Sequence, residues 1–269
     1  MSERWGSTAN MNVAGHLQLG IWKARLQLRK SSVLRRAVEL LRRLRSDRRD
    51  RHLRTEVKYW RRWAVTEGLQ WRDDFKMRFD PDAPLQKHVA RVAERIPRKK
   101  VEILDVGAGP ATVLGKTHPS KTLVITPTDP LAREYNRILD QTGHKPLVRT
   151  IYAEAESLRS ELGSRQFDIV HAQNSLDHSR DAVAGVEEML ALAKPGGFVV
   201  LLHEENEGQN ELYYALHKWD FRCENGHFII SGPGPGGPRH DISEMVSDRA
   251  TVECSMHHGE VLVVIHKAK

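Results

Sequence analysis

Cysteine is scarce in this 269-residue chain: only Cys223 and Cys254 occur. Two cysteines build neither a disulfide scaffold nor a Cys-rich zinc site, and two separate reduced thiols are expected. No apolar run approaches the ~20 residues that cross a bilayer. The first twenty residues lack the apolar core of a secretory leader. Aromatic residues make up only 6% of the chain, and mean hydropathy is −0.53. These absences lead to the expectation of a cytoplasmic globular protein, long enough for one α/β domain and an attached segment.

Acidic residues are also scarce at one end. Residues 1–65 hold 17 Lys/Arg and 5 Asp/Glu, whereas residues 66–269 hold 25 and 30. The formal net charge of +7 therefore belongs to the N-terminal segment, and the remainder is mildly acidic. Within residues 21–54, Val33, Leu34, Ala37, Val38, Leu41 and Leu44 fall at i, i+3, i+4 spacing among Arg35, Arg36, Arg42, Arg43 and Arg45. Three roles fit this basic helix: packing on the main domain, lying on an anionic membrane surface, or gripping nucleic-acid phosphates.

A second helical stretch over 55–67 carries Tyr59, Trp60 and Trp63, with Trp71, Phe75 and Phe79 following. These aromatics either anchor the N-terminal segment or wall an acceptor pocket, and Tyr59 and Trp63 are the acceptor candidates. The break Asp80-Pro81-Asp82-Ala83-Pro84 divides an N-terminal extension, 1–84, from a main domain, 85–269. Strand-like runs follow at 101–106, 122–126, 147–151, 167–172 and 198–203. Helical text at 131–141 and 182–193 lies between them, and Lys194-Pro195-Gly196-Gly197 reads as a turn. Such alternation predicts a parallel sheet covered by helices. Runs at 251–256 and 260–266 predict a closing hairpin, and residues 204–250 form an insertion too long for a simple connection.

The sharpest local signal is Asp105-Val106-Gly107-Ala108-Gly109 at a strand end. Thr112 stands where a third glycine would complete G-x-G-x-x-G, so the turn alone is a weak nucleotide signal. Asp129 ends the next strand, where a carboxylate accepts hydrogen bonds from ribose hydroxyls.

The turn, Asp129, Glu154-Ala155-Glu156-Ser157-Leu158, Phe167-Asp168-Ile169-Val170 and Lys194-Pro195-Gly196-Gly197 occur in an order that resembles the class I S-adenosylmethionine-dependent methyltransferases. The resemblance covers about residues 100–203, and the hairpin agrees in topology. It implies a Rossmann-like, seven-stranded, mostly parallel sheet with a C-terminal antiparallel hairpin. It also implies S-adenosylmethionine as cofactor and S-adenosylhomocysteine as product. Asp105, Gly107 and Gly109 would line the methionine and ribose side, and Asp129 would hold the ribose. Glu154 would meet the adenine amino group, the Ala155 backbone the adenine ring, and Gln173 and Asn174 the sulfonium. Glu56-x-x-Tyr59-Trp60-x-x-Trp63, Asn174-Ser175-Leu176-Asp177-His178 and Leu216-His217-Lys218-Trp219-Asp220-Phe221 are further similar to a bacterial group associated with glycan or natural-product assembly.

Methylation of oxygen calls for a base, and histidine is the natural one. His178, His203 and His217, with Asp177 beside the first, lie where strand ends converge; Glu204, Asn206 and Trp219 are the acceptor candidates of the insertion. Asp177, His178, His203, Glu204 and Glu207 offer metal donors but no metal-binding spacing, and no metal is expected. The reading is an O-methyltransferase of a hydroxylated small molecule or glycan. It would sit at the inner membrane face if the acceptor is lipid-linked. An RNA methyltransferase and a non-catalytic binding module are the alternatives. The Asn/Asp-Pro-Pro-Tyr signature of nucleic-acid amino-methyltransferases is replaced by Gln173-Asn174-Ser175-Leu176.

Overall fold

The computed structural model describes residues 49–269, which fall in one compact unit. The basic stripe at 33–44, and with it the membrane or nucleic-acid role given to residues 21–54, lies outside the described residues. The elements are α1 (Arg49–Val65), α2 (Arg72–Phe79), α3 (Lys87–Glu94), β1 (Lys100–Val106), β2 (Thr122–Thr128), α4 (Ala132–Thr142), α5 (Leu158–Leu162), β3 (Phe167–Gln173), α6 (Ala182–Leu192) and β4 (Ala193–Glu204). After them come α7 (Glu207–Asn210), β5 (Asp220–Glu224), β6 (His227–Ser231), β7 (Arg239–Asp241), α8 (Ile242–Met245), β8 (Ala250–His257) and β9 (Glu260–Lys267).

The main sheet runs in the order β2-β1-β3-β4-β9-β8. The first four strands are parallel, and β9 and β8 pair antiparallel as the closing hairpin. Burial follows position. β3 is central and six of its seven residues are buried, as expected of a parallel strand covered on both faces. β8 is an edge strand and alternates buried or half-buried with exposed residues along most of its length. Strand order reverses at β1 and β3, so the crevice beyond their carboxyl ends is where a sheet of this kind receives a ligand.

The sheet has six strands where seven were expected. The run at 147–151 contributes a single bridge, Ile151 to Thr128. Pro146 has no N–H to donate, and Leu147 and Ile151 remain 61% and 42% exposed, so pairing there buries little. The Lys194-Pro195-Gly196-Gly197 turn is a bulge within β4: Ala193 pairs with Phe167 and Phe198 with Ile169, leaving four residues opposite Asp168. A Cβ on Gly197 would lie 3.0 Å from the Asp168 carbonyl oxygen, so the bulge needs glycine. The Asp168 side chain, 1% exposed, accepts from Lys194 Nζ at 3.0 Å and from the Glu102 N–H at 2.9 Å. One buried carboxylate thus ties together the starts of β1, β3 and the bulge.

The insertion folds as a three-stranded antiparallel sheet, β5-β6-β7. The Gly/Pro run at 232–238 forms the irregular link between β6 and β7. Cys223 on β5 and Cys254 on β8 are free thiols, and their side chains meet in a hydrogen bond.

A separate apolar cluster joins α1 and α2 to α4 through Trp63, Ala64, Phe75, Leu131, Tyr135 and Ile138. Trp63 is 1% exposed and its ring centre lies 4.8 Å from that of Phe75. It is a core residue with no surface for an acceptor, which corrects the expectation for Trp63. Tyr59, one turn earlier, is 39% exposed. Trp63→Ala is therefore predicted to lower the unfolding free energy by about 3–5 kcal/mol. Tyr59→Ala should cost under about 1 kcal/mol, as surface changes usually do. Urea denaturation monitored by circular dichroism measures both.

Candidate active site

The glycine turn leaves β1 with Gly107 at φ +71° and Gly109 at φ +67°, a region that L side chains seldom adopt. A Cβ on Gly107 would run into Ser175, whose hydroxyl donates to the Val106 carbonyl at 3.0 Å. A Cβ on Gly109 would stand 3.3 Å from the Trp60 indole. The turn is held from several sides. The Thr150 hydroxyl donates to the Gly109 carbonyl at 2.8 Å, and Arg78 donates to the Ala111 carbonyl at 2.7 Å.

Asp129 sits at the end of β2, 8% exposed, and accepts from the Gly109 N–H at 3.1 Å and the Leu131 N–H at 2.8 Å. Burial pushes its carboxyl up to about 7, against the pull of these two donors. Gln173 ends β3 with its Oε1 buried and without a partner. A turn with glycines at 107 and 109, a buried carboxylate and an orphaned amide oxygen lie at adjoining strand ends. They fit a ligand that brings hydroxyl and amine donors.

Other expected cofactor residues are engaged elsewhere. Asp105 is 1% exposed; one carboxylate oxygen lies 2.7 Å from His171 Nδ1 and the other accepts from the Thr112 hydroxyl. Its carboxylate supports the turn from beneath and does not line a cofactor surface, since both oxygens are already bonded within the protein. Asn174 sits at φ +45°; its side chain accepts from the Glu204 N–H at 3.0 Å and donates to Glu260 at 3.2 Å. It braces β4 against the hairpin. Glu154 pairs with Arg180 at 3.1 Å and precedes the turn that begins at Ala155.

The histidines divide into two kinds. His203 is 1% exposed, stacks on Phe221 at 4.5 Å, and has both ring nitrogens buried without partners. Burial depresses its pKa to about 4. It is a neutral core residue of β4, and the base role expected of it does not fit that burial. His178 and His217, by contrast, converge on Asp177. His217 Nδ1 lies 2.7 Å and His178 Nε2 3.3 Å from Asp177 Oδ2, and the two nitrogens are 3.3 Å apart. Glu207 Oε1 stands 3.5 Å from His217 Nδ1. Asp177 and His178 belong to the short turn after β3, next to Ser175, while His217 comes from the insertion, and the Lys218 N–H fastens it by donating to the Asp177 carbonyl at 3.0 Å.

The electrostatics follow from this packing. Burial raises the Asp177 pKa, but the charge of His178 and the hydrogen bond from His217 outweigh it and hold the carboxyl well below its usual range. Burial lowers His217, and its hydrogen bond with Asp177 outweighs that and raises it. Burial and the neighbouring Glu204 and Asp177 charges raise Glu207.

The acceptor candidates of the insertion are structural. Trp219 is 3% exposed and its Nε1–H donates to the Ser179 carbonyl at 3.1 Å. Asn206, at φ +55°, accepts from Arg222 at 3.3 Å. Trp219 pins the insertion to the core and is buried, which corrects its acceptor role, whereas the Asn206 contact lies within the insertion. Glu204 is exposed beside Glu207. Sequence reasoning left Trp60 without a role of its own; its i, i+4 spacing from Glu56, whose carboxylate accepts the indole N–H at 2.8 Å, was the available signal. The seat of Trp60 on Gly109 depends on tertiary packing and carries no sequence signal.

Residues 104–201 match the family described as Methyltransferase domain. No curated protein matches the chain. Among solved structures, the CurJ carbon methyltransferase is 17% identical, with a TM-score of 0.49 over 67% of this chain and 52% of that one. An O-methyltransferase family protein from Burkholderia thailandensis is 17% identical, with a TM-score of 0.44 over 67% and 55%. CalS10, an amino pentose methyltransferase from Micromonospora echinaspora solved with S-adenosylmethionine, is 17% identical, with a TM-score of 0.43 over 67% and 89%. The chain thus spans about half the length of the first two. The matched segment is thus similar to a methyltransferase domain over about a third of the chain.

The raised Asp129 carboxyl generates a stability prediction. In the folded state it keeps its proton up to about pH 7, while the unfolded chain releases it near the ordinary carboxyl value of 3.8. The folded state therefore binds more protons in that window, and stability falls as pH rises through it. Unfolding free energy of the cofactor-free protein, measured in urea at steps across the window, should show this decline. Asp129→Asn should flatten it.

Proposed function

We propose that this protein transfers the methyl group of S-adenosylmethionine to a hydroxyl of a small molecule or glycan, with His217 as the general base. The observation that carries the reading is the Asp177–His217 pair beside the glycine turn. Its logic is that of an oriented imidazole. A proton on Nδ1, held by Asp177 at 2.7 Å, leaves Nε2 as the acceptor of the hydroxyl proton. The carboxylate also stabilises the imidazolium that results, in keeping with the raised His217 pKa.

The cofactor supplies an electrophilic methyl on sulfur. The chain supplies position and proton transfer. Gly107 and Gly109 let backbone approach the cofactor, Asp129 accepts from the ribose hydroxyls, and Gln173 Oε1 faces the same crevice. Glu154 and the Ala155 backbone flank the adenine end. Trp60, seated on Gly109, shields the turn from water. Tyr59 remains the acceptor-side aromatic of α1.

The excess of 17 Lys/Arg over 5 Asp/Glu in residues 1–65 favours peripheral attachment to an anionic membrane at the cytoplasmic face, where a lipid-linked glycan would be presented. An RNA acceptor is the second reading of the same charge, and it requires affinity that falls steeply with salt.

Calorimetry should give S-adenosylmethionine binding that Asp129→Ala abolishes. Binding should also weaken below about pH 7 as Asp129 takes up a proton. His217→Ala should reduce kcat about 10²–10⁴-fold on a responsive hydroxylated acceptor while cofactor binding stays unchanged. Full activity of this variant rejects His217 as the base.

A further inference from the structure

The Asp177, His178 and His217 ligand atoms all lie within 4.8 Å of one another, on partly or fully buried side chains. A hydrogen-bonded pair needs two such atoms and one proton. Here a third ligand atom, His178 Nε2, converges on the same point, and Glu207 Oε1 borders it at 3.5 Å from His217 Nδ1. The arrangement has more donors than one shared proton uses.

The distances discriminate further. A tetrahedral zinc with bonds of about 2.0–2.1 Å keeps its ligand atoms roughly 3.3 Å apart. The observed separations are 3.3 Å for His178 Nε2 to Asp177 Oδ2, 3.3 Å for His178 Nε2 to His217 Nδ1, and 3.5 Å for His217 Nδ1 to Glu207 Oε1. Only the 2.7 Å contact of His217 with Asp177 is shorter than that spacing, and it must open by about half an ångström to admit an ion. The other oxygen of Glu207 is buried and has no partner, so this carboxylate is not committed to another contact through that atom. A cavity of about 110 Å³ lined by His52, Ser179, Arg180, Leu216 and Lys218 touches the cluster at His178.

From this geometry we infer that Asp177, His178 and His217 form a binding site for a divalent transition metal, with Glu207 closing the fourth position. Two imidazole nitrogens and carboxylate oxygens suit zinc or cobalt better than magnesium or calcium, which prefer oxygen alone. The ion takes the place of the proton between Asp177 and His217. In that state Nδ1 of His217 is a ligand and Nε2 carries the hydrogen, the opposite tautomer to the one the base needs. The two occupants of the cluster are therefore alternatives. The inference concerns the cluster on which the proposed function rests, but it is tested without cofactor or acceptor, so its failure leaves that function standing.

The experiment uses the full-length protein stripped by chelation and dialysed. Zinc binding is read by calorimetry and by metal analysis after gel filtration, and Co²⁺ is read by its visible absorption. The expected result is one zinc per chain, a tetrahedral cobalt band, and loss of affinity by at least about tenfold in His178→Ala and in His217→Gln. His227→Ala, remote from the cluster, should bind as the wild type does. Circular dichroism establishes that each variant is folded. If His217→Gln fails to fold, His178→Ala and Glu207→Gln decide. No stoichiometric zinc uptake, or uptake unchanged in the folded cluster variants, overturns the inference.

Discussion

One buried carboxylate organises the centre of this fold. Asp105 lies in β1 between two neighbours and beneath the turn that follows it. It reaches His171 of β3 with one oxygen and Thr112 of the turn with the other, while its carbonyl accepts from the Thr128 hydroxyl of β2 at 3.1 Å. Three strands and the glycine turn therefore share a single polar node in an otherwise apolar layer. A buried acid is tolerated only when its hydrogen-bonding capacity is satisfied. Here satisfaction fixes the relative height of the strand ends, and every group at the crevice inherits its position from that height.

Much of this was legible in the residues. Period and length gave the strands at 101–106 and 167–172 to within one residue, and at 198–203 only the second half of β4, whose bulged start at 193–197 reads as a turn. The closing hairpin was legible from the two β-rich runs around His257-His258-Gly259. The run at 147–151 misled because β-branched and apolar residues there lack a buried partner; propensity cannot supply one. Asp105 and Asn174 were expected at the cofactor because their chain positions match a family pattern. Position along a strand does not reveal which partners a side chain finds. Those partners, His171 and Thr112 for the one and Glu204 and Glu260 for the other, are fixed by strand register and packing.

The histidines show the same limit. Three were equal candidates as text. Burial separates His203 from the others, and only the docking of the insertion brings His217 onto Asp177, forty positions away. The aromatics of α1 split likewise: Trp63 faces inward to Phe75, Trp60 rests on the turn, and Tyr59 faces outward. A helical period explains that three residues differ in direction. It does not say which direction meets the sheet.

The glycine turn, Asp129 and Gln173 come from the strands of the main sheet and the segments between them, whereas His217 comes from the insertion, in the link before β5 that Trp219 and Lys218 pin to the core. The two halves answer to different pressures. Sequence drift within β5, β6, β7 and their links can re-shape what the crevice admits and leave Asp129 and the glycine turn untouched. On the proposed reading the sheet is a fixed donor end and the insertion an exchangeable recipient end, so a lineage can change clientele without relearning the chemistry.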